Sequence, residues 1–80
     1  MGNLIVDIGN TAVKAAFTEG LTLGKTFRYQ GERVKNFILS LTAKNKPAIM
    51  VVSTVRDISA RNIHILEGEC GKLVIMDSVH

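Results

Sequence analysis

The spacing of apolar positions changes repeatedly along the chain, and each change marks an element. Leu4-Ile5-Val6 followed by Asp7-Ile8 is a short apolar run ending in Gly9-Asn10, which predicts a central strand buried on both faces and then a tight turn. Val13, Ala15 and Phe17 alternate with Lys14, Ala16 and Thr18, the period of two expected of a second strand with one more polar face. Gly9-Asn10-Thr11 lies between the two runs as a hairpin signal, with Gly9 and Asn10 as residues that tolerate positive φ. Glu19-Gly20 makes the next turn, and Thr22 to Tyr29 has the Thr, Phe and Tyr content of a third antiparallel strand.

Beyond Gln30-Gly31-Glu32 the period lengthens. From Arg33, the apolar residues Val34, Phe37, Ile38 and Leu41 fall at helical spacing with Arg33, Lys35, Asn36 and Ser40 between them, so this segment predicts an amphipathic helix. Lys44 and Lys46 suit its C-terminal end, and Pro47 stops it. Ala48 to Thr54 reads as a strand buried on both faces, parallel to the first through a right-handed crossover. A second helix is expected from Arg56 or Asp57 to Glu67, with Ile58, Ile65 and Leu66 on one face and Gly68 as its C′ residue. Lys72 to Met76 is the last strand. The order β-β-β-α-β-α-β predicts an α/β fold, a mixed five-stranded sheet with helices covering its faces. No repeat, linker or low-complexity stretch divides it.

Composition bounds this picture. With 80 residues, 46% hydrophobic and 21% charged, the chain is one globular domain at most, and disorder is not expected. A core of this size supplies only about 3–5 kcal/mol, so a partner, a staple or very regular packing is expected. The single Cys70 forms no internal disulfide, and no Cys/His cluster offers a zinc site, so a staple, if there is one, is a partner surface. The net charge of +3 permits contact with phosphate or an anionic partner. The basic residues are nevertheless scattered from Lys14 to Lys72 and Trp is absent, so no nucleic-acid platform is expected. The apolar runs are strand-sized, far below the roughly 20 residues of a membrane span, and no membrane partner is expected. Asp7 interrupts the place of a signal-peptide core, and the lone thiol suits a reducing compartment, so the expected location is cytoplasmic.

Two segments suggest phosphate chemistry. Gly20-Leu21-Thr22-Leu23-Gly24-Lys25-Thr26 resembles a Walker A loop but is one residue short and lies between strand-like runs, so it reads as a hairpin turn and strand. The better candidate is Asp7-Ile8-Gly9-Asn10-Thr11-Ala12-Val13-Lys14. An Asp ending a strand is placed to hold Mg²⁺ directly or through water. Gly9 lets the backbone approach a phosphate, Asn10 and Thr11 can donate hydrogen bonds to it, and Lys14 adds positive charge. The alternative is a plain hairpin in which Asp7 and Asn10 only make turn bonds.

Ser53, Thr54 and Arg56 end the fourth strand on the same sheet edge as Asp7 if the two strands are parallel, which places them near a substrate. His64 reads as a surface or partly packed helix residue, and Cys70 lacks an activating partner. Met50 and Met76 read as core.

The element order around the first hairpin resembles the ribonuclease H-like half of the acetate/sugar kinase, Hsp70 and actin superfamily. Within it, D-I-G-N-T-A-V-K from Asp7 to Lys14, with Val51-Val52-Ser53-Thr54-Val55 similar to a Ser-Ser-Val strand end, resembles the N-terminus of a type III pantothenate kinase. The resemblance implies one half of a two-domain kinase, with residues 1–80 as the N-terminal nucleotide-binding domain. Its activity would be ATP-dependent phosphorylation of pantothenate, the first step of coenzyme A synthesis. By the same resemblance, residues Asp7, Ile8, Gly9, Asn10, Thr11, Ala12, Val13 and Lys14 lie on the ATP phosphates, with Asp7 at Mg²⁺. A monovalent cation, K⁺ or NH₄⁺, and a homodimer are implied for the full-length family, and the chain alone is expected to self-associate because so small a core leaves apolar surface uncovered. The family's G-x-D-R segment, which carries its catalytic aspartate, and its second phosphate loop do not occur in these 80 residues. No catalytic residue is therefore expected within the chain, and alone it is expected to be inactive. A non-catalytic member that binds nucleotide or a protein partner for regulation is the other reading.

Overall fold

The computed structural model describes residues 2–20 and 22–77, the last of them by its backbone only. The elements are β1 (Asn3–Ile8), β2 (Val13–Glu19), β3 (Thr22–Tyr29), α1 (Val34–Thr42), β4 (Ile49–Thr54), α2 (Ala60–Glu67) and β5 (Lys72–Asp77). They form one five-stranded sheet in the order β3-β2-β1-β4-β5, antiparallel between the first three strands and parallel from β1 to β5. This is the expected mixed sheet, with the expected succession of elements along the chain and β4 parallel beside β1.

Register decides which residues share a face. Leu4 lies opposite Phe17 and Met50, Val6 opposite Ala15 and Val52, and Ile8 opposite Val13 and Thr54. The apolar residues among them build one core with Ile38 and Leu41 of α1 and with Leu66 of α2. Both helices thus cover the same face, because the β3-to-β4 and β4-to-β5 connections step across the sheet in one direction and successive crossovers of one hand put their helices on one side.

That outcome corrects the expectation that β1 and β4 are buried on both faces. Ile5 is 43% exposed and Asp7 is exposed, while the outward residues Ile49, Val51 and Ser53 of β4 are half-buried. A continuous apolar run is what a doubly covered strand needs, but among the described residues no helix lies on the second face. Met76 belongs to that face and is 56% exposed, so it is not core, whereas Met50 is fully buried as expected.

Local chemistry sets the helix ends. The Arg33 amide at the start of α1 donates to the Tyr29 hydroxyl at 3.1 Å, and the Tyr29 ring stacks on Phe37 with centroids 5.1 Å apart. Lys44 and Lys46 fall beyond the last turn of α1, which closes at Ala43. α2 starts later than Arg56 or Asp57, because Ser59 caps it by accepting from the Asn62 amide at 3.2 Å. Ile58 therefore precedes the helix, although it still packs on the core. Gly68 ends α2 in a right-handed conformation, φ −72°, rather than as a left-handed C′ residue.

The Walker-like segment is a hairpin and strand. Gly20 supplies the turn with φ +60°, and Gly24 lies in β3 where a side-chain carbon would stand 3.0 Å from the Phe17 carbonyl oxygen, at an irregularity in the β2–β3 ladder. Leu21, within that segment, is outside the described residues.

Candidate phosphate site at the β1–β2 turn

Ile8 and Val13 are the last paired residues of the first hairpin, leaving Gly9, Asn10, Thr11 and Ala12 as its loop. The Gly9 amide donates to the Ala12 carbonyl at 2.9 Å. Neither Gly9 nor Asn10 has positive φ, contrary to the hairpin expectation, since a loop of this length turns without the left-handed residues that two-residue turns require. The side chains of Asp7 and Asn10 make no turn hydrogen bonds among the described residues, so the plain-hairpin reading loses the bonds it invoked.

The loop is instead held from β4. The ladder between β1 and β4 continues past Thr54, where the Val55 amide donates to the Ile8 carbonyl at 3.2 Å. The buried Thr54 then reverses the chain: its hydroxyl donates to the Arg56 carbonyl at 2.8 Å and accepts from the Arg56 amide at 3.0 Å. This fold-back sends the Arg56 side chain to the hairpin. Nε and Nη2 donate to the Gly9 carbonyl at 2.9 and 2.7 Å, and Nη2 also donates to the Asn10 carbonyl at 3.3 Å.

Asp7 stands on the uncovered face, one residue before the hairpin's last pair. Across the strands its row reads Arg28, Lys14, Asp7, Ser53 and Met76. One carboxylate thus has two cationic residues on its β2 side and a hydroxyl on its β4 side. Asp7 and Lys14 are both exposed and form no ion pair among the described residues. No cluster of three or more His, Cys, Asp or Glu occurs among the described residues. A lone carboxylate still fits Mg²⁺, which is commonly held by one or two carboxylates together with phosphate oxygens and water.

Of the residues singled out from the sequence, Asp7, Gly9, Asn10, Thr11 and Lys14 gather at this edge, whereas Ile8 and Val13 point into the core. Ala12 contributes its carbonyl to the turn. Ser53, Thr54 and Arg56 reach the same edge. His64 is exposed on α2 and Cys70 is buried, its thiol 3.4 Å from the Leu66 carbonyl and its pKa raised chiefly by that burial. Arg28 was not singled out, although the alternation of β3 with β2 placed a cation beside Lys14. Beneath the loop on the helix side, a cavity of about 170 Å³ opens between the sheet end and the starts of the two helices, with Thr54, Arg56, Asp57, Lys35 and Asn62 in its wall.

No family model matches the chain, and no curated protein does. Among solved structures it is similar to the ROK hexokinase from Thermus thermophilus, with a TM-score of 0.71 over 96% of this chain at 18% identity. The likeness is one of fold: the mixed five-stranded sheet with two helices matches a part of that structure, in agreement with the ribonuclease H-like expectation. The chain spans about a third of the hexokinase, 34% of its length. At this level the likeness does not extend to the pantothenate kinase family in particular.

Proposed function

We propose that this chain supplies the first phosphate-binding loop of an ATP-dependent small-molecule kinase. The observation that carries the reading is the β1–β2 loop: exposed at Asn10 and Thr11, pinned from behind by Arg56, and preceded by a carboxylate flanked by Lys14 and Arg28. Asp7 would hold Mg²⁺, which would supply positive charge to the phosphates, Lys14 and Arg28 would add to it, and the loop amides would bind phosphate oxygens. Positioning and charge are most of what phosphoryl transfer requires of a protein. The similar hexokinase supports the kinase class through its shared fold.

Pantothenate as the acceptor rests on D-I-G-N-T-A-V-K and is the finer part of the proposal. The monovalent cation, the homodimer and the role of residues 1–80 as the N-terminal half of a two-domain enzyme enter with the same resemblance. Among the described residues there are donors for phosphate but no group placed as a base on an acceptor hydroxyl. Loss of a general base alone costs about 10²–10⁴ in rate. The isolated 80 residues therefore bind nucleotide weakly and turn over nothing.

Titration with ATP, with and without Mg²⁺, followed by amide NMR tests the reading. Mg²⁺-dependent shifts concentrated in residues 7–14 are expected. Shifts elsewhere, or none up to about 10 mM, a concentration that detects free energies weaker than about −4 kcal/mol, would overturn it. Comparing pantothenate with glucose as acceptor for a two-domain protein carrying this sequence tests the finer part.

A further inference from the structure

Arg56 is separated from Gly9 by 47 positions, yet it donates to two consecutive carbonyls of the hairpin loop. A trans peptide is planar, with its N–H opposite its C=O, and no peptide bond of the described residues is cis. The carbonyl of Gly9 shares a plane with the amide of Asn10, and the carbonyl of Asn10 with the amide of Thr11. Drawing both carbonyls toward one guanidinium turns both amides away from it, toward the exposed side of the loop. Neither amide donates to an acceptor among the described residues. Two adjacent free N–H groups on one side of a turn, with a cation behind them, make an anion-binding concavity.

We infer that Arg56 is the positioning residue of the phosphate loop, holding the Asn10 and Thr11 amides in the orientation that receives phosphate oxygens. It acts through the backbone and need not touch the ligand. Arginine suits the task because its fork offers Nε and Nη2 in a fixed plane to neighbouring acceptors, whereas lysine presents a single flexible ammonium. Thr54 belongs to the device, since its two hydrogen bonds to the Arg56 backbone set where the guanidinium starts. The inference rests on the proposed phosphate site and adds the part that prepares it.

The test compares the wild-type chain with Arg56→Lys, Arg56→Gln and Lys14→Ala, using MgATP and inorganic pyrophosphate as probes and amide NMR as readout. Without ligand, Arg56→Gln should move the Asn10 and Thr11 amide signals and speed their hydrogen exchange, while signals of α2 and β5 stay in place. With ligand, it should weaken binding about tenfold, the worth of one to two charge-assisted hydrogen bonds in preorganisation. Arg56→Lys should recover part of this loss. Lys14→Ala should weaken binding through charge and leave the ligand-free loop signals unchanged. If Arg56→Gln binds as the wild type does, or leaves the two loop amides undisturbed, the positioning role is overturned while the phosphate site stands. If the wild-type chain binds neither probe, the phosphate site itself falls and takes the use of the clamp with it. Should Arg56→Gln fail to fold, Arg56→Lys decides the matter: unchanged loop signals and unchanged affinity overturn the role, and an intermediate loss upholds it.

Discussion

On one face of the sheet Leu4, Val6, Met50 and Val52 are closed off by α1 and α2, while on the other Ile5 and Leu23 are 43% and 62% exposed. The same strands supply both faces, and neighbouring residues of one strand meet opposite fates. Among the described sheet residues buried on the covered face, Thr54 is the one polar residue, and its hydroxyl is used in the turn to Arg56. The bare face mixes apolar residues with Asp7, Lys14 and Arg28. Burial is the main source of stability for a sheet, so the covered face holds the fold together. Freedom from helices leaves the other face able to meet a ligand or another surface.

The largest expected difference between the faces is in stability. Met50→Ala should cost about 2–5 kcal/mol by opening a cavity in the core, whereas Ile5→Ala should stay under about 1 kcal/mol. Chemical denaturation of both variants measures this, and equal losses would mean that the bare face is covered in solution. Asp7→Asn reverses the ranking. In a two-domain protein with this sequence it should lower phosphoryl transfer about 10²-fold with a melting temperature close to the wild type, because electrostatic placement of metal and phosphate is lost and packing is not. Unchanged turnover with a large fall in stability would make Asp7 a structural residue.

A smaller effect sharpens the picture of the bare face as a sticky surface. Leu23→Lys combined with Met76→Lys should shift sedimentation at high protein concentration toward the monomer, since exposed apolar patches favour association. A wild-type chain that is monomeric at every concentration removes this reading. The smallest effect concerns Cys70 on the covered side. Burial raises its folded pKa above the ordinary thiol value of 9.0, so the folded state keeps the thiol proton where the unfolded chain has begun to release it. Stability is full below that value and declines as pH rises above it. Cys70→Ala should flatten the alkaline limb of a stability-against-pH curve, and an identical limb would assign the decline to other groups.

How much of this was legible in the sequence follows from the range of each interaction. The β2 alternation and the α1 spacing are local, and both elements stand where the pattern put them. Ser59-Ala60-Arg61-Asn62 carries a readable cap, but the apolar Ile58 drew the expected helix start upstream. The apolar runs of β1 and β4 were legible as strands, yet their burial depends on which side the helices take, a property of the whole sheet. Asp7 to Lys14 could be read as a candidate because its donors are contiguous. The hold of Arg56 on that segment could not, since nothing in the sequence between the two, 47 positions apart, encodes which carbonyl it will meet. Parallel pairing of β4 with β1 brought it within range only of the right edge.

The strand order also implies an order of assembly. β1, β2 and β3 are consecutive and can pair by closing short loops, a microsecond event for a hairpin. β4 reaches β1 only after the chain has passed through α1, so this pairing has a much higher contact order and must bear the greater loop-closure entropy. The β1–β2 turn is therefore complete in outline while its two carbonyls still lack their guanidinium. In refolding followed by quenched hydrogen exchange, protection of the β1–β2 ladder should precede that of the β1–β4 ladder. On the proposed reading of the loop, competence to grip an anion then arrives with the parallel strand, and an incompletely folded chain carries the turn without the Arg56 clamp.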